Sequence, residues 1–106
     1  MQQIHFKKQF VPLILNGTKT STARYSLKPA GEYKAVQGSR FKPKQFATIL
    51  LTPAEYTQWK DIIANCYKEE GFATPEEMQA FLVKEKLVKG DLNDKVYRYV
   101  IRMVQP

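Results

Sequence analysis

The sequence predicts an α+β fold, and three observations carry that reading. Strand-like alternation marks both ends of the chain, at Gln2 to Phe6 and at Val96 to Val104. Apolar residues at helical spacing precede Asn16 and recur around Trp59, Ile62, Ile63, Cys66 and Tyr67. Thr74-Pro75-Glu76-Glu77 opens a further helix, with a capping threonine, proline at the first helical position and a glutamate three residues after the cap. The order strand, helix, several strands, two helices and a final strand is an α+β plan, with a barrel closed by the C-terminal strand. At 106 residues this is one domain with one core.

Each element has a local reason. After the first strand, a helix runs from about Lys8 to Asn16, with Pro12 in its first turn and Gly17 as its stop. Residues 26 to 45 carry Pro29, Gly31, Gly38 and Pro43 among polar residues and read as a long loop, interrupted at most by a short strand around Ser39 to Phe41. Phe46 to Thr52 is a compact β-prone run ended by Pro53. Gly71 ends the Trp59 helix. Met78, Phe81 and Leu82 form the buried stripe of the next helix, and Gly90-Asp91 breaks the chain before the last strand. There is no internal repeat and no low-complexity tract.

Composition narrows the function. One cysteine and one histidine exclude an internal disulfide and leave too few soft ligands for zinc, so neither metal nor cofactor is expected. Zinc-dependent base deamination is disfavoured, because its His-x-Glu and Cys-x-x-Cys signatures are missing. No stretch is long and apolar enough to span a bilayer, and the N-terminus shows no apolar signal core; the expectation is a cytoplasmic protein with no membrane partner. The net charge of +7 favours anionic partners, although the lysines are dispersed rather than run together. Nothing in the sequence sets an oligomeric state.

Residues 17 to 24, Gly-Thr-Lys-Thr-Ser-Thr-Ala-Arg, concentrate more site-type groups than any other stretch. Thr20, Thr22 and Arg24 have strand period and point to one face. Lys19 and Thr22 are three apart, so Lys19 must lie in the turn before the strand if the two are to meet. The plain alternative is a helix cap followed by a solvated, threonine-rich edge strand. Glu70 is the second half of the site. At 100° per residue it lies about 20° from Trp59, in the middle of the apolar stripe, whereas Glu69 falls near the edge at about −80°. A carboxylate aimed at the core in a last helical turn is unfavourable unless a cation or several hydrogen bonds meet it, and Lys19 or Arg24 could serve. The alternative is a helix frayed by one residue, with Glu70 turned to solvent.

Gly17-x-Lys19-x-x-Thr22-x-Arg24 after a short apolar helix resembles the signature of the ASCH domain, the activating-signal-cointegrator homology family. Threonine at position 22, where most members carry an acid, resembles the small bacterial subgroup that includes N4-acetylcytidine amidohydrolase. Gly38-Ser39-Arg40-Phe41 is similar to the family's Gly-Asp-x-Phe turn, with Ser39 in place of Asp, and Glu70-Gly71-Phe72 to its Glu-Gly-Phe. The resemblance implies a small PUA-like mixed β-barrel with flanking helices, acting on nucleosides or RNA. It implies Lys19, Thr22 and Glu70 as a catalytic trio that removes the acetyl group from N4-acetylcytidine or related acylated cytosine compounds, on a nucleoside or nucleobase substrate. The rival is a non-catalytic RNA-binding module, with single-stranded RNA as partner.

Two mechanisms use the trio. Thr22 attacks the acetyl carbonyl while neutral Lys19 takes its proton, which requires the lysine pKa to fall from ~10.4 towards 7, about 4 kcal/mol of preference for the neutral form. Burial and Arg24 push it that way, and Glu70 pushes it back. Alternatively Glu70 is base to a water and charged Lys19 stabilises the oxyanion. Thr20, Arg24 and Tyr25 are the expected substrate-binding residues. Phe6, Phe10, Phe41, Phe46, Tyr97 and Tyr99 are expected chiefly in the core, His5 as a structural or surface residue, and Cys66 as packing.

Overall fold

A computed structural model describes residues 1–106. One mixed sheet of five strands forms the body: β1 (Gln2–His5), β2 (Ser21–Arg24), β3 (Gly31–Gln37), β4 (Lys44–Gln58) and β5 (Lys95–Gln105), in the spatial order β1-β3-β4-β5-β2. Only β1 and β3 are parallel. The parallel pair requires a crossover, which α1 (Val11–Leu15) and β2 supply. Two helices, α2 (Trp59–Cys66) and α3 (Pro75–Lys84), lie between β4 and β5 in the chain. The sheet curls into a half-barrel, and a radius of gyration of 13.0 Å fits one domain of this length.

Several expectations are corrected. The C-terminal strand does not close the barrel: β5 is interior, paired with β4 on one side and β2 on the other. The open seam lies between β1 and β2, bridged by the Arg24 guanidinium, which donates to the His5 main-chain oxygen at 2.8 Å. Residues 26 to 45 are not a long loop, because Gly31–Gln37 is a central strand with Tyr33 and Ala35 buried. The Pro and Gly residues that suggested a loop only bracket it. The short strand expected around Ser39 is a turn, in which the Ser39 hydroxyl accepts from the Phe41 and Lys42 amides. Phe41 is 85% exposed rather than core. Pro53 does not end β4. It sits at a register shift between Pro53 and Glu55, where a residue without an N–H is tolerated, and the strand continues to Gln58.

Two apolar clusters hold the body together. The larger packs strands of the sheet against the first helical segment through Ile4, Phe6, Phe10, Ile14, Ile49 and Tyr99 among others, and the smaller joins α2, α3 and the start of β5 through Trp59, Ile62, Met78, Leu82 and Val96. Burial of each large side chain contributes about 1.5–3 kcal/mol. Phe72 and Phe81 pack against both clusters and join them. As the sequence indicates, the Thr74 side chain caps α3 by accepting from the Glu77 amide at 3.1 Å. No helix is long and apolar enough to cross a membrane.

Candidate functional site

The site forms where the end of α1 and the end of α2 meet the start of β2. Gly17 takes a left-handed φ of 83° after α1, and the Asn16 side chain accepts from the Thr18 amide at 2.9 Å, which turns the chain back towards the sheet. The Lys19 amide donates to the Leu13 carbonyl at 2.9 Å, and the Thr20 and Ser21 amides both donate to the Glu69 carbonyl, at 2.7 and 3.0 Å. Lys19 therefore precedes β2, as its spacing from Thr22 requires.

At the other side, the helical pattern runs on past Cys66, with the Glu70 amide donating to the Cys66 carbonyl at 3.0 Å. Gly71, at φ 102°, then ends it, with Phe72 donating back to the Tyr67 carbonyl and Gly71 to the Lys68 carbonyl. This is a Schellman end, and it holds Glu70 in register. Glu70 is 4% exposed while Glu69 is exposed. The helix does not fray at this point.

Lys19, itself 5% exposed, meets Glu70 twice: its ammonium donates to the Glu70 main-chain oxygen at 2.7 Å and stands 3.9 Å from Oε1. The carbonyl lies at a helix C-terminus, where positive charge is favoured. The Phe10 ring lies beneath Nζ, 4.6 Å from its centroid. Burial pushes the Lys19 pKa down to about 8, with Glu70 opposing and Arg24 assisting the fall. Glu70 also accepts a hydrogen bond from the Ser21 hydroxyl, which is wholly buried. Ser21 was not among the expected site residues. No local signal marks it, since β2 begins at Ser21 and only the fold brings the end of α2 against it.

Thr22, buried, and Arg24, half-buried, form the other half of the site. The Thr22 oxygen accepts from Arg24 Nε at 3.2 Å, leaving its own proton for a further acceptor. Arg24 lies over Phe6, 5.1 Å from the ring centroid, and its pKa is lowered by burial, with Glu70 opposing. Lys19, Thr22, Arg24, Tyr25 and Glu70 all line one cleft of about 1650 Å³. Thr20 does not. It lies at a separate, smaller depression beside Ile101, because β2 begins only at Ser21 and the strand period does not extend back to it. Tyr25 presents its ring to the cleft, but its hydroxyl is committed: it donates to Asp94 at 2.8 Å and accepts from Trp59 Nε1 at 3.0 Å and the Lys89 amide at 2.9 Å. Cys66 is half-buried and its thiol is pushed up by burial. No three His, Cys, Asp or Glu side chains stand together as a metal-binding group.

No family model, curated protein or solved structure matches this chain.

Chemically, the arrangement offers a buried hydroxyl polarised by a guanidinium, an amine whose pKa lies within reach of neutral pH, and a fixed carboxylate. At pH 7 a lysine with a pKa of about 8 is neutral in roughly a tenth of molecules, against fewer than about one in a thousand at the ordinary value. That set suits acyl transfer more than phosphoryl or hydride transfer.

Proposed function

We propose that the chain is a PUA-like ASCH domain and a cytoplasmic, metal-independent amidohydrolase that removes the acetyl group from N4-acetylcytidine or a related acylated cytosine. The observation that carries this reading is the convergence of Lys19, Thr22 and Glu70 in one cleft with the Lys19 pKa depressed to about 8. In the reaction, the Thr22 oxygen adds to the acetyl carbonyl as neutral Lys19 takes its proton. Arg24, whose Nε donates to the attacking Thr22 oxygen, brings its guanidinium charge beside the acetyl oxygen on which the oxyanion develops. Collapse breaks the C–N bond, and the Lys19 ammonium returns the proton to the leaving N4 amine. Water then adds to the acyl-threonine, again with Lys19 as base; collapse breaks the bond to the Thr22 oxygen, which takes that proton back from Lys19, and acetate is released. Glu70 holds Lys19 through its carbonyl and carboxylate, and Ser21 holds Glu70.

The test is incubation of the purified protein with N4-acetylcytidine, with cytidine followed by chromatography. Release of cytidine that survives chelator and disappears in Lys19→Ala supports the reading. A parent protein that releases none, yet binds single-stranded RNA tightly at physiological salt, supports the RNA-binding module instead; the exposed Phe41, with Arg40 5.7 Å from its ring centroid, is the observation on that side.

A further inference from the structure

The cleft is far more basic than its catalytic floor requires. Its two acids are already matched, Glu70 by Lys19 at 3.9 Å and Glu85 by Lys7 at 3.8 Å. Lys8, Arg24, Lys28, Lys86 and Lys89 line the same space with no carboxylate against any of them. Arg24 has only neutral acceptors, the Thr22 hydroxyl and the His5 carbonyl. Lys28 is pressed into the same end of the cleft, where burial and Arg24 both disfavour its charge. Cations held together without counter-charge raise one another's energy, and an anion placed among them relieves it.

Depth gives this charge a direction. Lys19, Thr22 and Glu70 are buried at the floor, Arg24 and Lys28 are half-buried, and Lys86 and Lys89 are exposed at the rim. In an N4-acylated cytosine the acyl group and the ribose are attached on opposite sides of the ring. A base with its acyl group at the floor therefore sends its ribose towards the lysines. The volume, about 1650 Å³, exceeds the ~300–1000 Å³ of an ordinary small-ligand pocket, which leaves room beyond the base for sugar and phosphate.

We infer that the mouth of the cleft, where Lys28 and Lys89 stand without counter-charge, is a phosphate subsite, so that the substrate is a phosphorylated acylcytidine, free or within RNA, rather than a bare nucleoside. This rests on the proposed function for the placement of the base, but binding tests it without catalysis. Calorimetry compares three ligands: cytidine, cytidine 5′-monophosphate, and a short single-stranded oligoribonucleotide with one cytidine. The expected result is that a phosphorylated ligand binds at least about tenfold more tightly than cytidine, with the advantage shrinking as salt rises. The doubly substituted Lys28→Gln, Lys89→Gln protein loses most of that advantage, whereas Lys60→Gln, Lys84→Gln, of equal charge change outside the cleft, keeps it. An advantage already present with the monophosphate identifies a free nucleotide; one present only with the oligonucleotide identifies the phosphodiester of RNA. Equal affinity for all three ligands, or an advantage undiminished in the Lys28, Lys89 variant, overturns the inference. If the phosphate preference holds but no acylated cytidine is hydrolysed, the amidohydrolase reading fails and the subsite stands.

Discussion

Two polar clusters flank β2, one at each end, and they differ in almost everything except that both are fully hydrogen-bonded. At the N-terminal end, Lys19, Ser21 and Glu70 are each no more than 5% exposed, and the cluster contains two opposite charges. At the C-terminal end, Tyr25, Trp59 and Asp94 join a half-buried carboxylate to a phenol that is itself held by an indole and a main-chain amide. The second cluster is relaxed: hydrogen bonds from Tyr25 and the Gly90 amide hold the Asp94 carboxyl below its usual range. The first is not. Its lysine is charged only at a cost, because burial outweighs the pull of Glu70. The same bonding chemistry makes a latch where water is near and a reactive group where water is excluded.

The largest expected effect is on turnover. Thr22→Ala and Lys19→Ala should each lower kcat for an acylated cytidine by about a thousandfold or more, because groups that act as a unit fail together. Tyr25→Phe, in the other cluster, should leave turnover per folded molecule close to parental. In the parent, kcat/KM should rise with pH through about 8 as Lys19 loses its proton. A flat profile across that range would remove Lys19 as the base and leave the mechanism in which Glu70 activates water.

Stability should separate the clusters with opposite signs. The folded Lys19 pKa, about 8, lies below the ordinary 10.5, so below pH 8 the folded state carries a charge it disfavours; this costs about 3 kcal/mol at pH 7 and fades as pH rises from 8 to 10.5. Lys19→Met removes that cost but leaves the buried Glu70 carboxylate with Ser21 alone, so any gain at pH 7 should fall well short of that amount and shrink in alkali. Denaturant titrations at pH 7 and 10 measure it, and a variant less stable at pH 7 would show that the contact with Glu70 outweighs burial.

How much of this was legible in the sequence depends on the range of the interaction. Glu70 could be turned inward from helical period alone, and the Thr74 cap and the Gly71 stop are encoded within a few residues of where they act. Glu70 meets a cation of the 17 to 24 segment, Lys19, as the sequence suggests, whereas Ser21 is not legible there, because a small hydroxyl between two threonines looks like solvated surface until the end of α2 is brought against it. The lysines around the cleft look dispersed in sequence; only the meeting of the first turn, the end of β2 and the turn before β5 gathers Lys8, Lys28, Lys86 and Lys89 on one space. β3 was hidden by its flanks, since glycines and prolines that bracket a strand read locally as a loop. Where β5 sits in the sheet is a long-range pairing choice, and local pattern does not specify it.

The latch should respond more modestly. Tyr25→Phe removes the group that satisfies the Trp59 N–H and shields Asp94, and should cost about 1–3 kcal/mol. Because the Asp94 carboxyl is held low, its contribution is present above the ordinary carboxylate range and lost as pH falls through the folded value, so the gap between parent and variant should narrow in acid to what the unsatisfied Trp59 N–H costs. Gly71→Ala tests the other cluster at similar scale. A Cβ at φ 102° would meet Leu13 Cδ1 and Lys19 Cβ at 3.4 Å, and the left-handed backbone alone costs about 1–2 kcal/mol. Its strain falls on the Glu70–Lys19 contact, so turnover should drop along with stability, unlike in Tyr25→Phe.

The smallest effect is expected one residue from one of the largest. Glu69 touches the site only through its main-chain carbonyl, which accepts from both Thr20 and Ser21 and ties the start of β2 to the end of α2. Its side chain is exposed, and none of the ion pairs in the molecule uses it. Glu69→Gln keeps the carbonyl and removes only a solvated charge, so stability should stay within about 0.5 kcal/mol and turnover should not change. Glu70→Gln, by contrast, removes the carboxylate that holds the Lys19 pKa up, and should move the midpoint of the pH–rate profile below 8. Measuring both variants side by side tests the helical register directly: equal responses at 69 and 70 would mean that the carboxylate facing Lys19 has been assigned to the wrong residue, and the inner cluster would have to be rebuilt around the other one.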